Sequence, residues 1–253
     1  MHRFKVRLWR TIAPAAAVAS LCAAAPTPPP ASDPDALNAL TVAVRTLASE
    51  RAGFTAFHRR VNAQERAPGH NASLEIQAGL LRDGDRAVAV KIYSRVANGT
   101  AATADDLAKA QADADKNPDV GYLLPLRADE IADYRIQNAP CDRCAPGNVA
   151  IAFVSLKRDA GHGDGTLVIE GATHHVLHVD FVPSGLPNHV DNASVTLTFG
   201  RVLPDLWDAV EMHEHYAGHV LFISGGAEIV TTYSGYRRFP SRDEGVKALA
   251  SGI

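Results

Sequence analysis

Histidines are the residues in this sequence with the clearest capacity for chemistry. His174 and His178 fall on one face of a predicted strand. His213 and His215 share one face of a second predicted strand. If the two strands were neighbours, four imidazoles would approach one another, and imidazole is a common ligand of transition metals. Acidic residues and threonines share these faces, which favours solvent-exposed positions. We therefore expect no metal site, and a His-assisted metal-binding protein is an alternative function.

Two familiar catalytic motifs do not occur in the sequence. Residues 213–217 contain two histidines and a glutamate, but a zinc-protease helix requires its second histidine at the position of Ala217. A Gly-x-Ser-x-Gly nucleophile elbow is also missing from the chain. We therefore predict no catalytic residue and no cofactor, and we expect a protein that is not an enzyme.

Two residues separate Cys141 from Cys144, and a local disulfide is the favoured interpretation because export favours oxidation. A thioredoxin-like pair would lie between a strand and a helix, whereas Pro140 and Pro146 favour a loop. Haem attachment would need a histidine in place of Ala145, and a zinc site would need a second cysteine pair. A free, redox-active pair is the alternative, because this spacing also occurs in reducible disulfides.

The first 25 residues are typical of a secretory signal peptide. Four basic residues and no acidic residue accompany an apolar, alanine-rich run over 11–25. This run is shorter than the roughly 20 residues that a membrane-spanning helix needs. Five prolines follow over 26–34 and predict a tether. We therefore predict an exported protein of the periplasm or cell envelope, with a single domain over 35–253.

The charge balance argues against a protein that binds nucleic acid. The chain carries 25 Lys and Arg against 28 Asp and Glu, a formal net charge of −3. Removal of residues 1–25 takes away four basic residues and no acidic residue, so the net charge moves from −3 to −7. Domains that bind nucleic acid normally present a basic face. We therefore predict no nucleic-acid partner.

The first half of the predicted domain combines helices with hairpins. Leucines and valines recur at helical spacing up to Ala48, after Ser32 or Asp33, either of which can cap the helix. Thr103 begins a second, alanine-rich helix that ends near Lys116. This helix has little apolar surface, and we expect it to pack lightly on an edge or to cover an opening. Three alternating segments predict strands: 54–61, 73–81 and 86–96.

The second half of the chain alternates more clearly between apolar and polar residues. Gly225 and Gly226 predict a two-residue hairpin turn between two of its strands. Successive strands with short links predict an antiparallel meander with one solvated face. The fold class is therefore α+β, a large curved antiparallel sheet with a few covering helices. The later strands are predicted over 133–137, 149–156, 166–170, 173–182, 194–201, 210–216, 219–224 and 228–236.

Three segments carry a resemblance to a known family: Gly165-Thr-Leu-Val-Ile-Glu-Gly171, Leu203-Pro-Asp-Leu-Trp207 and Tyr233-Ser-Gly-Tyr-Arg-Arg-Phe239. With the pattern of helix, hairpins and final meander, the chain from about 35 to 245 resembles the LolA-like envelope proteins that sort outer-membrane lipoproteins. The resemblance implies an unclosed antiparallel barrel lined by helices, with a hydrophobic cavity. It assigns a function to no individual residue.

The apolar face of the meander is the predicted ligand-binding surface. A sheet that curls without closing has a concave face larger than its own side chains can fill, and each buried methylene of a ligand contributes roughly 0.8 kcal/mol. We therefore expect a carrier or chaperone for a lipid, an acyl chain or an acylated protein, with an envelope membrane partner. A protein-recognising sensory or scaffold domain of the same fold is an alternative. The predicted ligand contacts are Leu167, Ile169, Leu177, Val179, Phe181, Val195, Leu197 and Phe199.

Overall fold

One antiparallel sheet accounts for most of the fold. The computed structural model describes residues 31–118, 121–141, 144–220 and 223–253. Within these ranges the chain forms three α-helices, eleven strands and one 3-10 turn: α1 (Pro34–Glu50), β1 (Phe54–Ala67), β2 (His70–Asp83), β3 (Arg86–Ala97), β4 (Thr100–Ala101), α2 (Ala104–Lys116), the 3-10 turn (Ile131–Asp133), β5 (Tyr134–Ala139), β6 (Val149–Ser155), β7 (Gly163–Ile169), β8 (Val176–Pro183), β9 (Val190–Leu203), β10 (Leu206–Val220), β11 (Ile223–Phe239) and α3 (Arg242–Ala250).

The strand order places the first and the last strand side by side. From edge to edge the sheet reads β4-β3-β2-β1-β11-β10-β9-β8-β7-β6-β5. The last strand, β11, pairs antiparallel with β1 along most of its length. β4 and β5 remain as the two edges, so the sheet is unclosed. The predicted α+β class, with a large unclosed antiparallel sheet and covering helices, is confirmed.

Helix α1 begins where the sequence predicts a cap. The Asp33 carboxylate accepts hydrogen bonds from the backbone N–H groups of Asp35 and Ala36, at 2.8 and 3.1 Å. Pro34, the last residue of the predicted tether, is the first residue of the helix. The predicted signal peptide and residues 26–30 of the tether lie outside the described residues. Residues Ser32–Ile253 form one compact unit.

The buried side of α1 covers one half of the sheet. The spacing of Leu40, Val44 and Leu47 puts them on one helical face. They form the main hydrophobic core with inward-facing residues of strands β5–β9. The helix therefore covers part of the apolar face of these strands.

Helix α2 protects the open edge of β3. β3 pairs with β2 on one side, but on the other it meets only the two residues of β4. The Gln111 side-chain amide donates to the Val90 carbonyl at 2.7 Å and accepts from the Ile92 N–H at 2.9 Å. An edge strand left bare can recruit another strand. The expected light packing of this helix on an edge is observed. Among the described residues of α2, none is buried.

A glycine-dependent bulge shapes the junction of β1 and β11. The register between these strands shifts at Ala56 and His58, and Gly235 lies opposite the shift with φ +65°. A Cβ at Gly235 would come within 2.7 Å of the His58 ring. The bulge allows Tyr236 to stack on Phe57, with ring centroids 4.8 Å apart.

The hairpin turn predicted at Gly225 and Gly226 is wrong. Both glycines lie within β11, where Gly225 pairs with Gly218 and Gly226 pairs with Ala217 of β10. Close packing within the sheet favours glycine at position 225, because a Cβ there would meet the Arg66 carbonyl oxygen at 3.1 Å. β10 runs without a break from Leu206 to Val220, across the predicted boundary between strands 210–216 and 219–224, and β11 begins at Ile223 instead of 228.

Helix α3 lies beyond the elements that the sequence pattern predicted. Ser241 caps it by accepting from the Glu244 N–H at 3.3 Å. Leu249 packs against Ala56 and Leu81, whereas Phe57, one residue after Ala56, belongs to a separate cluster. Because neighbouring side chains of a strand point to opposite faces, α3 covers the side of β1 that faces away from Phe57. In the described part of the chain, no helix has the length and apolar character needed to span a membrane.

Candidate functional site

A cavity of about 630 Å³ opens beside the covered half of the sheet. Its volume falls within the range of sites that take small apolar ligands, roughly 300–1,000 Å³. Strands β1, β8, β9, β10 and β11 contribute to its wall, and residues 121–127 contribute from a connecting segment. The larger apolar and aromatic lining residues are Phe57, Val61, Tyr122, Leu124, Leu126, Phe181, Leu197, Phe199, Met212, Ile229, Tyr233 and Tyr236.

Strand alternation and register explain how these side chains meet. Phe57, Arg59 and Val61 are two residues apart in β1 and therefore share a face. Val61 pairs with Thr231 of β11, which pairs in turn with Met212 of β10. All five line the cavity. The wall is thus built from rows of side chains that cross several strands.

The connecting segment is fastened to the sheet by hydrogen bonds and ring contacts. The Leu123 N–H donates to the Gly161 carbonyl at 2.7 Å. The Leu123 carbonyl accepts from the Tyr134 hydroxyl. The Tyr122 ring meets Phe181 edge-on, with centroids 4.7 Å apart. The segment therefore closes one side of the cavity as a fixed wall.

A carboxylate held by two tyrosines marks one end of the cavity. Glu214 accepts hydrogen bonds from the hydroxyls of Tyr122 at 2.8 Å and Tyr216 at 2.6 Å. Burial, followed by the hydrogen bond to Tyr216 and the Glu214 charge, raises the pKa of Tyr122 well above its ordinary value. Burial and Glu214 raise the pKa of Tyr216 to about 12. Both phenols are therefore neutral hydrogen-bond donors at physiological pH.

A buried ion cluster lies at another part of the wall. Asp208, which is 1% exposed, accepts from Arg51 at 2.6 Å and contacts Arg82. Arg51 also binds Asp85 at 3.1 Å. Burial alone would raise the pKa of Asp208, but the two guanidinium groups outweigh it and hold this pKa below its ordinary value. The cluster connects the residue after α1 with β2 and β10.

Arg59 is a further cationic group of the wall, which also includes Arg51, Arg82 and Arg127, and its side chain has a different environment from the ion cluster. Its Nε is buried without a hydrogen-bond partner. Within the described residues, its guanidinium forms no hydrogen bond or ion pair. Its nearest structural neighbours across the sheet are Ala78 of β2 and Tyr233 of β11. Burial raises the pKa of Tyr233 to about 12, and the Arg59 charge opposes this rise.

The structure separates the eight predicted ligand contacts into three groups. Phe181, Leu197 and Phe199 line the cavity. Leu177 falls in a bulge of β8, where the register with β7 shifts, and is not a lining residue. The remaining four are nearly or fully buried in the core that includes α1: Leu167, Ile169, Val179 and Val195. A ligand role for these residues stays a prediction.

The predicted histidine pairs lie on strands that are not neighbours. β9 separates β8, which contains His178, from β10, which contains His213. His174 precedes β8 in a turn, with φ +62°. His213 binds Glu211 at 2.7 Å, and His178 lies 3.7 Å from Asp180. The four imidazoles of the metal hypothesis are therefore not brought together.

A different group of side chains could hold a metal ion. Glu130, Asp133 and His162 place one ligand atom each within 4.8 Å of one another. The buried His162 binds Asp159 through Nδ1 at 2.8 Å, and its Nε2 lies 3.8 Å from Asp133. Lys157 already forms an ion pair with the same Asp133 oxygen at 2.5 Å. A cation would therefore compete with the lysine for this carboxylate.

Cys141 and Cys144 form a disulfide, with their Cα atoms 5.3 Å apart. The bond lies in the loop between β5 and β6, as the flanking prolines predict. Neither cysteine is a lining residue of the cavity. The disulfide therefore constrains a loop outside the candidate site.

Sequence reasoning missed the polar residues of the cavity wall. Arg59 lies between Phe57 and Val61 on the inward face of β1, where an apolar residue is expected. Arg82 directly follows the apolar residues Leu80 and Leu81, and it also occupies a position where an apolar residue is expected. A charged residue at an inward position of an alternating strand is the sequence signal that could have identified these wall residues. Tyr122 had no comparable signal, because it lies in an irregular segment.

An unclosed antiparallel sheet with a mainly apolar cavity defines the structural class. No family model matches the sequence, and no curated protein matches it. Among solved structures, the chain is similar to an outer membrane lipoprotein-sorting protein domain from Vibrio parahaemolyticus, with 11% identity, a TM-score of 0.48, and coverage of 84% of this chain and 97% of that one.

The chain is also similar to two further solved structures. A LolA superfamily protein from Nitrosomonas europaea has 12% identity and a TM-score of 0.37, over 83% of this chain and 96% of that one. A DUF1329 family protein from Desulfovibrio piger has 11% identity and a TM-score of 0.38, over 85% of this chain and 98% of that one. The solved structures that the chain is similar to include one that is named as a LolA superfamily protein.

Proposed function

We propose that this chain is a non-enzymatic protein of the cell envelope that binds a hydrophobic ligand in the cavity, as a carrier or chaperone. The observation that carries the proposal is the cavity itself: about 630 Å³ bounded largely by aliphatic and aromatic side chains. An apolar ligand gains roughly 0.8 kcal/mol for each methylene removed from water. The ligand class is a lipid, an acyl chain or the acylated end of a protein.

Two features support an envelope location. Residues 1–25 have the composition of an export signal. The Cys141–Cys144 disulfide is of the kind that persists in oxidising compartments. An exported carrier of lipid would exchange its cargo with a membrane or a membrane-bound partner, and such a partner is part of the proposal.

The test is native mass spectrometry of the protein purified without detergent from its own envelope. We expect bound species whose masses correspond to lipids or acyl chains. After the ligand is removed, a titration with a fluorescent fatty-acid analogue should restore one bound molecule per chain. A protein that retains no lipid and binds no analogue contradicts the proposal.

A pair of tryptophan variants tests whether the cavity is the binding site. Met212 lines the cavity and is partly buried, so Met212→Trp should fill space and weaken analogue binding at least about tenfold. Val182 is 43% exposed, and Val182→Trp should leave binding unchanged. Equal affinities for the two variants would place the ligand elsewhere. Circular dichroism of both variants checks that the fold is retained.

A further inference from the structure

We propose that the ligand of this cavity is an anionic amphiphile, whose carboxylate or phosphate binds the Arg59 guanidinium while its chain occupies the apolar part of the wall. This inference rests on the proposed function of the cavity and specifies the chemistry of the ligand. It is carried by the position of one positive charge and by the absence of a partner for it among the described residues.

The position of Arg59 is fixed by the sheet. It lies on β1 between Phe57 and Val61, which share its inward face, and β2 and β11 pair with it on both sides. The neighbouring Arg60 points to the opposite face, is 55% exposed and binds Glu75 at 2.9 Å. Arg59 is therefore held in the cavity wall by a strand that is paired along both edges.

Among the residues that the structure describes, none neutralises the charge of Arg59. Arg51 and Arg82, the buried arginines nearby in the wall, share Asp208. Arg59 has no carboxylate at ion-pair distance in the described part of the chain, and its buried Nε lacks an acceptor. A partly buried guanidinium without a partner is unfavourable. An acidic headgroup would supply the missing acceptors, and arginine forms two parallel hydrogen bonds with carboxylate or phosphate.

The distribution of charge in the cavity gives the ligand a direction. Arg59 pairs with Tyr233 of β11, whereas Glu214 pairs with Ile229, four residues along the same strand. At about 3.4 Å per residue, the two rows are roughly 14 Å apart. The row between them is apolar apart from Thr231 and contains Val61 and Met212. An acidic headgroup is attracted to the Arg59 row and repelled from the Glu214 end.

The experiment compares ligands with the same chain and different headgroups. Delipidated protein at pH 8 is titrated with dodecanoate, monododecyl phosphate and 1-dodecanol, and with inorganic phosphate and acetate as anions without a chain. We expect both anionic amphiphiles to bind at least about tenfold more tightly than the alcohol, a difference of about 1.4 kcal/mol. Inorganic phosphate and acetate should bind far more weakly than either. Tighter binding of dodecanoate or of dodecyl phosphate identifies the preferred headgroup.

Variants then assign the preference to Arg59. Arg59→Gln should reduce the affinity for both anionic amphiphiles to that for dodecanol, while leaving dodecanol binding unchanged. Arg59→Lys keeps the charge and should retain part of the preference, which guards against a general loss of fold. Arg60→Gln is the matched control on the opposite face, and it should behave as the wild type.

The outcomes separate the two proposals. Equal binding of dodecanoate, dodecyl phosphate and dodecanol by the wild type would overturn the anionic ligand and leave the apolar cavity in place. A preference that survives in Arg59→Gln would overturn the role of this residue. Tight binding of inorganic phosphate alone would show that the ligand is a free anion and not an amphiphile. If no amphiphile binds, both the proposed function and this inference fail.

Discussion

The imidazole of His175 lies parallel to the indole of Trp207, with ring centroids 4.7 Å apart and an angle of 3° between the planes. Glu50, the last residue of α1, binds both residues. Its carboxylate accepts hydrogen bonds from His175 Nε2 at 2.7 Å and from the backbone N–H of Trp207 at 2.7 Å. The Trp207 indole N–H donates to the Val176 carbonyl, also at 2.7 Å. One carboxylate thus connects the helix with the starts of β8 and β10.

Replacement of Glu50 should measurably weaken the fold. Glu50→Ala leaves the Trp207 N–H and the His175 imidazole without their acceptor, and each unsatisfied group costs about 1–3 kcal/mol when it is buried. Because His175 is buried whereas Trp207 is only partly buried, we expect the free energy of unfolding to fall by about 2 kcal/mol. Urea denaturation measures the change, and Glu65→Ala, at an exposed position of β1, is the control. An equal effect of both substitutions would contradict the bridging role.

Removal of Asp208 should have a larger effect. Asp208→Ala leaves Arg51 and Arg82 buried next to each other without their shared carboxylate. Breaking a buried ion pair by removing one partner costs about 3–5 kcal/mol, and we expect a loss of this size in urea denaturation. Asp205→Ala is the control, because Asp205 is 67% exposed in its ion pair with Arg238, and exposed pairs contribute about 1 kcal/mol or less.

The same carboxylate should contribute to the acid limb of stability. The two guanidinium groups lower the pKa of Asp208 in the folded protein below its ordinary value, even though burial opposes this. A lowered pKa contributes stability that is present above about pH 4, the unfolded value, and is lost as the pH falls towards the folded pKa. We expect urea midpoints measured from pH 7 to pH 3 to decline less steeply for Asp208→Asn than for the wild type. Parallel profiles would show that Asp208 does not contribute.

The sequence predicts the face of a strand better than it predicts what covers that face. Leu167 and Val179 alternate as expected and do point inward, but Leu40 of α1 lies in the same core cluster. Alternation carries no information about which part of a concave face a helix will fill. Leu197 has the same pattern and lines the cavity instead. The boundary between core and cavity is a property of the packed molecule.

Local signals also failed where long-range pairing decided the structure. Gly225 and Gly226 resemble a turn, yet the pairing of β10 with β11 continues through them. In the sequence, Arg59 resembles an ordinary polar strand residue. In the structure, the pairing of β1 with β11 places it beside Tyr233. The pairing of the first strand with the last is not encoded in any local pattern. The ends of the strands and the polar part of the cavity could therefore be assigned only from the structure.

The Cys141–Cys144 disulfide should stabilise its loop without affecting the cavity. It closes a short loop with a sequence separation of 3, for which chain entropy predicts a contribution of about 2 kcal/mol. The double Cys→Ser variant should therefore lose stability of this order in urea denaturation. Its affinity for a fluorescent fatty-acid analogue should equal that of the wild type, because neither cysteine lines the cavity. Loss of analogue binding in a folded variant would contradict this separation.

The tyrosines around the cavity should set the alkaline limit of stability. Burial raises the pKa of Tyr216 and of Tyr233 to about 12, and it raises the pKa of Tyr122 further. A raised pKa contributes stability that is fully present below about pH 10, the unfolded value, and is lost as the pH rises through the folded value. Absorbance at the phenolate band should therefore stay low in the folded protein at pH 10–11, whereas the urea-unfolded protein titrates near pH 10.

The Tyr216 contribution can be isolated. Tyr216→Phe removes a titrating group and one of the two hydroxyls that donate to Glu214, at 2.6 Å. We expect a loss of about 1 kcal/mol at pH 7 from the missing hydrogen bond. Between pH 10 and pH 12 the stability of the variant should fall less steeply than that of the wild type, because one fewer proton is released on unfolding. An identical slope for both proteins would show that this phenol titrates alike in the folded and unfolded states. In that case the Tyr122–Glu214–Tyr216 cluster would have to be open to water.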